Sequence, residues 1–160
     1  MDFMERDGRL TIGHDGMPES SLTIPELLTW LAAHPGIRVI TDVKTDNLQG
    51  LSQIAKMAGP MRDRFIPQIY SVDQYPAVAA LGYPAQILTV YRLPEGFHWQ
   101  SAANALPLFA VTVPVDRRNE AVGVHHPIFL HTVNEPMPGY GLYTDCLVPA
   151  GRSGAASSQR

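Results

Sequence analysis

Ile37-Arg38-Val39-Ile40-Thr41-Asp42-Val43-Lys44 opens as a β-branched apolar run and closes on a carboxylate and an ammonium. Five later stretches repeat the form: Phe65–Tyr70, Ala85–Tyr91, Leu108–Val115, Pro127–Asn134 and Gly141–Cys146. Near-continuous apolar runs suit strands buried on both faces of a parallel sheet. Between them lie segments of helical period. Thr23 is placed to cap a helix with Pro25 in its first turn, Glu26 completing a capping box, and Leu27, Leu28, Leu31 and Ala32 on one face.

A second helix is read from Asn47, with Leu48, Leu51, Ile54, Ala55 and Ala58 inward, and a third from Ser71 with Gln74. Glu95 to Leu106 gives a fourth, and Arg117 to Val124 a weaker fifth. Strands and helices in this alternation predict βαβ units and a parallel sheet. A doubly wound sheet calls for a glycine-rich turn after its first strand, and none is present. A (β/α)₈ barrel takes about 250 residues, so six such runs predict a partial TIM barrel. Residues 1–149 form that barrel in this reading, and 150–160, rich in Gly, Ala and Ser, form a disordered tail without a last helix.

Composition narrows the function classes. Of 160 residues, 17% are charged and the formal net charge is −3, with no run of Lys and Arg. Nucleic acid and anionic membrane surfaces, which need clustered positive charge, are not the expected partners. One cysteine, Cys146, permits no internal disulfide and builds no zinc site alone. No stretch approaches the ~20 apolar residues of a membrane helix. Met1 to Asp7 is acidic and has no signal-peptide character, which leaves localisation undetermined.

Chemistry in parallel α/β folds gathers at the C-terminal ends of strands. Asp42, Lys44, Gln68, Tyr70, Tyr91, Asn134 and Asp145 all fall at such ends here. Ahead of them, Asp7-Gly8-Arg9-Leu10-Thr11-Ile12-Gly13-His14-Asp15 sets a turn, a short apolar strand and a His-Asp pair. A histidine beside a carboxylate is suited to proton transfer.

The ordered set Asp2, Asp7-Gly8, His14-Asp15, Asp42-x-Lys44 and Thr144-Asp145 resembles the glycerophosphodiester phosphodiesterase family, among the phosphoinositide-phospholipase-C-like barrels. The likeness spans Asp2 to Pro149, and Asp-Gly…His-Asp is its most specific element. It implies a metal-assisted phosphoric diester hydrolase acting on glycerophosphodiesters or related lipid head groups. Asp2 and Asp42 take the places of ligands to Mg²⁺ or Ca²⁺, His14 that of the acid for the leaving alcohol, and Lys44 that of the phosphate clamp. Gln68, Tyr70 and Asn134 are the expected substrate contacts.

Asp42 departs from the usual glutamate, in a form resembling the sphingomyelinase-D-like branch. The family's opening strand, ending His-Arg, has no counterpart, and the glutamate of its Glu-x-Asp falls just before Met1. The expectation is therefore a barrel truncated at its N-terminus, lacking the first strand, with impaired turnover. His125, His126 and His131 match no histidine of the family. A catalytically silent remnant that binds a phosphorylated ligand or a partner protein is the alternative, and an unrelated α/β structural protein a third. Unpaired strand edges make self-association a further expectation.

Overall fold

The computed structural model describes residues 1–18 and 20–144. Asp145, Cys146 and the predicted tail 150–160 lie outside the described residues. The chain forms an α/β fold built on one sheet of eight strands. In chain order they are β1 (Asp2–Arg6), β2 (Arg9–Ile12), β3 (Val39–Val43), β4 (Phe65–Ile69), β5 (Ile87–Thr89), β6 (Ala110–Pro114), β7 (Ile128–His131) and β8 (Gly141–Leu142). Their spatial order is β2-β1-β3-β4-β5-β6-β7-β8. Every neighbouring pair is parallel except the hairpin of β1 and β2. Among the described residues the sheet is open, with β2 and β8 at its edges.

The six predicted strands are β3 to β8, each shorter than its apolar run. β1 was not among the predicted strands, and Asp2 is its first residue. Asp7 and Gly8 join β1 to β2 with φ of 51° and 75°. Positive φ at both central residues is what a two-residue hairpin turn of type I′ requires, and Asp-Gly is among its preferred pairs. The most specific element of the family likeness thus has a local structural cause as well.

Helices α1 (Ile24–Ala33), α2 (Asn47–Ala58), α3 (Tyr75–Ala79) and α4 (Gln100–Asn104) form the connections. α1 has the predicted capping box: Glu26 N–H donates to the Thr23 hydroxyl, and Thr23 N–H donates to the Glu26 carboxylate at 2.8 Å. At its other end Arg64 donates to the carbonyls of His34, at 2.6 Å, and Ile37. α2 is capped by Asp46, whose carboxylate accepts from Gln49 N–H at 2.8 Å. Its buried stripe is Gly50, Leu51, Ile54, Ala55 and Ala58, and Leu48, expected inward, is exposed.

The third helix is only five residues long, preceded by a 3₁₀ turn at Val72–Gln74, and Ser71 makes no side-chain cap. The fourth is five residues, not twelve, because Gly96 adopts φ 76° and Trp99 turns into the core. The fifth is a 3₁₀ segment, Val115–Ala121.

One face of the sheet carries the main core. Phe3, Val39, Val43, Phe65, Ile69, Leu88, Val90, Val111 and Val113 pack there against Leu27, Leu31, Leu51, Ile54, Val78, Trp99 and Ala103 of the connecting segments. Each such fully buried side chain contributes about 1.5–3 kcal/mol of apolar transfer. The opposite face carries a smaller cluster of Ile66, Ile87 and Ala110, flanked by Ile40 and Phe129.

Candidate functional site

Side chains alternate across a strand, so the residues two apart from that smaller cluster share its face. On β3 these are Ile40, Asp42 and then Lys44; on β4, Ile66, Gln68 and Tyr70; on β5, Ile87, Thr89 and Tyr91. On β7 they are Phe129 and His131, and beside β8, Tyr143. The face therefore runs from an apolar floor of Ile40, Ile66, Ile87, Ala110 and Phe129 to a polar rim at the strands' C-terminal ends. Asp42 and Lys44 share that end, and Asn134 follows β7 at the same end. Asp145 lies outside the described residues.

At the rim, Asp2 and Asp42 are direct partners on adjacent parallel strands. The ammonium of Lys44 lies 2.7 Å from Oδ2 of Asp42 and 3.4 Å from Oδ1 of Asp2. The other oxygen of Asp42 accepts a hydrogen bond from the Tyr70 hydroxyl. Burial pulls the Lys44 pKa down, but the hydrogen bond and charge of Asp42, joined by Asp2, outweigh it and leave the ammonium favoured. Burial, and then the Asp42 bond and charge, push the Tyr70 hydroxyl up.

An aromatic wall continues from Tyr70 across the sheet. Tyr70 meets Tyr91 edge-on with centroids 6.0 Å apart, Tyr91 meets His131 at 5.2 Å, and His131 lies 5.5 Å from Tyr143. Arg92 sits over Tyr70, its guanidinium carbon 3.9 Å from the ring centroid, and its Nε donates to the Tyr91 hydroxyl at 3.0 Å. Burial pulls the Arg92 pKa down, but the Tyr91 hydrogen bond, joined by the charges of Tyr91, Tyr70 and Asp42, outweighs it, so this cation–π seat holds a second positive charge at the rim. The Tyr143 hydroxyl donates to Oε1 of Gln68 at 3.3 Å, and burial pushes its pKa up to about 12. Burial lowers the His131 pKa, with the Asp42 charge opposing and Lys44 adding to the fall.

The residues singled out from sequence fall into three groups. Asp2, Asp42, Lys44 and Tyr70 form one bonded cluster. Gln68 is 2% exposed and reaches the rim through Tyr143, while Asn134 accepts a hydrogen bond from the Thr144 hydroxyl at 2.8 Å. His14 lies in the exposed loop after β2, its Nδ1 2.8 Å from the carbonyl of Asp15. That loop meets the cluster where Gly13 N–H donates to the Asp2 carbonyl at 3.0 Å.

Arg92, His131 and Tyr143 were missed as site residues. For His131 the signal was present in the parity of the strands: it stands two residues after Phe129, just as Tyr70 stands two after Gln68. Among the described residues no three His, Cys, Asp or Glu side chains form a metal cage. Asp2 and Asp42 offer the hard oxygens that Mg²⁺ or Ca²⁺ prefer, though both oxygens of Asp42 are engaged by Lys44 and Tyr70. No helix among the described residues is long and apolar enough to cross a membrane. Comparison with protein-family models, with curated proteins and with solved structures returns no match.

Proposed function

We propose that this chain carries the phosphodiester site of a partial (β/α)₈ barrel of the glycerophosphodiester phosphodiesterase type. The observation that supports this reading best is the Asp2–Lys44–Asp42–Tyr70 cluster, where the C-terminal ends of β3 and β4 meet the start of β1. The apolar floor beneath a polar rim supports the barrel reading, because side chains from neighbouring strands fill a barrel's centre in tiers. The substrate is a glycerophosphodiester or a related lipid head group. Lys44 and Arg92 meet its phosphate oxygens, a point charge and a planar fork of donors.

Asp2 and Asp42 would hold a divalent cation, Mg²⁺ or Ca²⁺, through the hard carboxylate oxygens such ions prefer. Such an ion supplies charge stabilisation to the phosphoryl oxygens. Lys44 holds its proton throughout and serves as the clamp. His14 donates the proton that the leaving alcohol needs. Hydrolysis is slow in this reading, because the loop histidine rests on Asp15 at the surface.

That same placement of His14 favours a second reading, a silent remnant that binds a phosphorylated ligand or a partner protein without turnover. A release assay on a glycerophosphodiester with Mg²⁺ or Ca²⁺ separates the two. Product release that Lys44→Met lowers on the order of 10²-fold supports hydrolysis. Binding of the diester with no release supports the second reading, and neither binding nor release rejects both.

A further inference from the structure

His131 closes β7 on the inner face of the sheet, between Tyr91 and Tyr143. Its Nε2 is buried and has no hydrogen-bond partner. A buried polar nitrogen left unpaired carries a cost of about 1–3 kcal/mol, so a native fold that keeps one invites a reason. The Thr89 hydroxyl, two strands away on the same face and 0% exposed, is unpaired as well. The residue after His131, Thr132, has φ 48°, a strained conformation for a β-branched side chain and one that gathers at functional sites.

Resting on the phosphodiester reading above, we propose that His131 is the proton acceptor of this site, facing the phosphate from the wall opposite Lys44. As water attacks, its oxygen bonds to phosphorus and its proton passes to Nε2 of His131. The bond from phosphorus to the alcohol oxygen breaks, and that oxygen takes a proton from His14. Water and diester become monoester and alcohol, and the two histidines return to their starting states by exchange with solvent. Burial keeps the imidazole neutral, the form that can accept. The charged and titratable groups around it are Asp42 and Lys44 of the β3 end, Tyr91 after β5 and Tyr143 beside β8.

The test combines imidazole ¹⁵N spectra of the whole chain with turnover of bis(p-nitrophenyl) phosphate in the presence of Mg²⁺. On adding inorganic phosphate, the His131 Nε2 resonance, assigned from His131→Asn, is expected to move along the same saturation curve as the Tyr70 ring signals. His131→Asn and His131→Gln are each expected to lose turnover on the order of 10²–10⁴-fold with an unchanged fold by circular dichroism. Phosphate that moves Tyr70 and leaves His131 in place overturns this assignment while sparing the phosphodiester reading. So does full turnover by either variant. Phosphate that moves neither residue overturns the phosphodiester reading and this assignment with it, and absence of turnover in the unsubstituted chain overturns the assignment together with the hydrolytic reading, leaving the binding reading to the Tyr70 shift.

Discussion

Asp2 and Asp42 stand side by side on adjacent parallel strands, and one ammonium, that of Lys44, lies 3.4 Å from the first and 2.7 Å from the second. Two carboxylates so close repel each other unless a positive charge lies between them. The pair is half-buried: the Asp42 and Lys44 side chains are each 17% exposed, and that of Asp2 is 35% exposed. Lys44 thus occupies the position that a second cation must contest.

That competition has a measurable consequence. A divalent cation binding the folded chain raises its stability by RT ln(1 + [L]/Kd), about 1.4 kcal/mol at ten times Kd. Thermal unfolding with added Mg²⁺ or Ca²⁺ is expected to shift upward, with the shift lost in Asp2→Asn and Asp42→Asn. Lys44→Met is expected to bind the cation more tightly than the unsubstituted chain, because the competing ammonium is gone. Equal shifts in all four proteins place the cation elsewhere.

Close packing of α2 on β3 is tested at Gly50. A Cβ built there meets Val43 Cγ1 at 2.6 Å and Cγ2 at 3.2 Å. Val43 is β-branched and 1% exposed, so it cannot swing aside. Overpacking of this kind costs about 1–3 kcal/mol, against a helix-propensity gain of about 1 kcal/mol for Gly to Ala. Gly50→Ala is expected to lower the urea midpoint, and Val43→Ala in the same chain to recover part of the overlap cost. A higher midpoint in Gly50→Ala contradicts the approach.

The pH dependence of stability follows from the rim. Tyr70, Tyr143 and Lys44 have raised pKa values, so the fold favours their protonated forms. Their contribution is fully present below the unfolded values of about 10 to 10.4 and is lost as pH rises above them. His131 is shifted the other way, so its contribution is present above about 6.5 and fades as pH falls below that. Melting temperature is therefore expected to drop on both sides. Tyr70→Phe is expected to flatten the alkaline limb and His131→Asn the acid limb. A limb unchanged by its substitution assigns that loss to other groups.

Much of this was legible in the sequence, and the gaps have physical causes. Apolar runs ending in polar residues located β3 to β8, since a strand covered on both faces must be apolar along its length. Asp42, Lys44 and Tyr70 were found because they close such runs. Helix lengths failed where a glycine or a buried aromatic overrode the helical period, as at Gly96 and Trp99. Arg92 was not legible, because its role depends on the Tyr70 ring of the neighbouring strand end, which no spacing within one segment reveals. His131 was visible by strand parity but was set aside for matching no family histidine. Family likeness ranked residues by motif, whereas the sheet ranks them by face.

The most direct test of a phosphodiester site at Lys44 is the affinity of the chain for glycerophosphocholine by isothermal titration, before and after Lys44→Met. A hydrogen bond to a charged group contributes about 1.5–3 kcal/mol, so the variant is expected to bind roughly tenfold to a hundredfold more weakly. Its fold, checked by circular dichroism, is expected to persist, since Asp42 keeps its bond from Tyr70. Equal affinity in the two proteins, or no binding by the unsubstituted chain, contradicts the assignment.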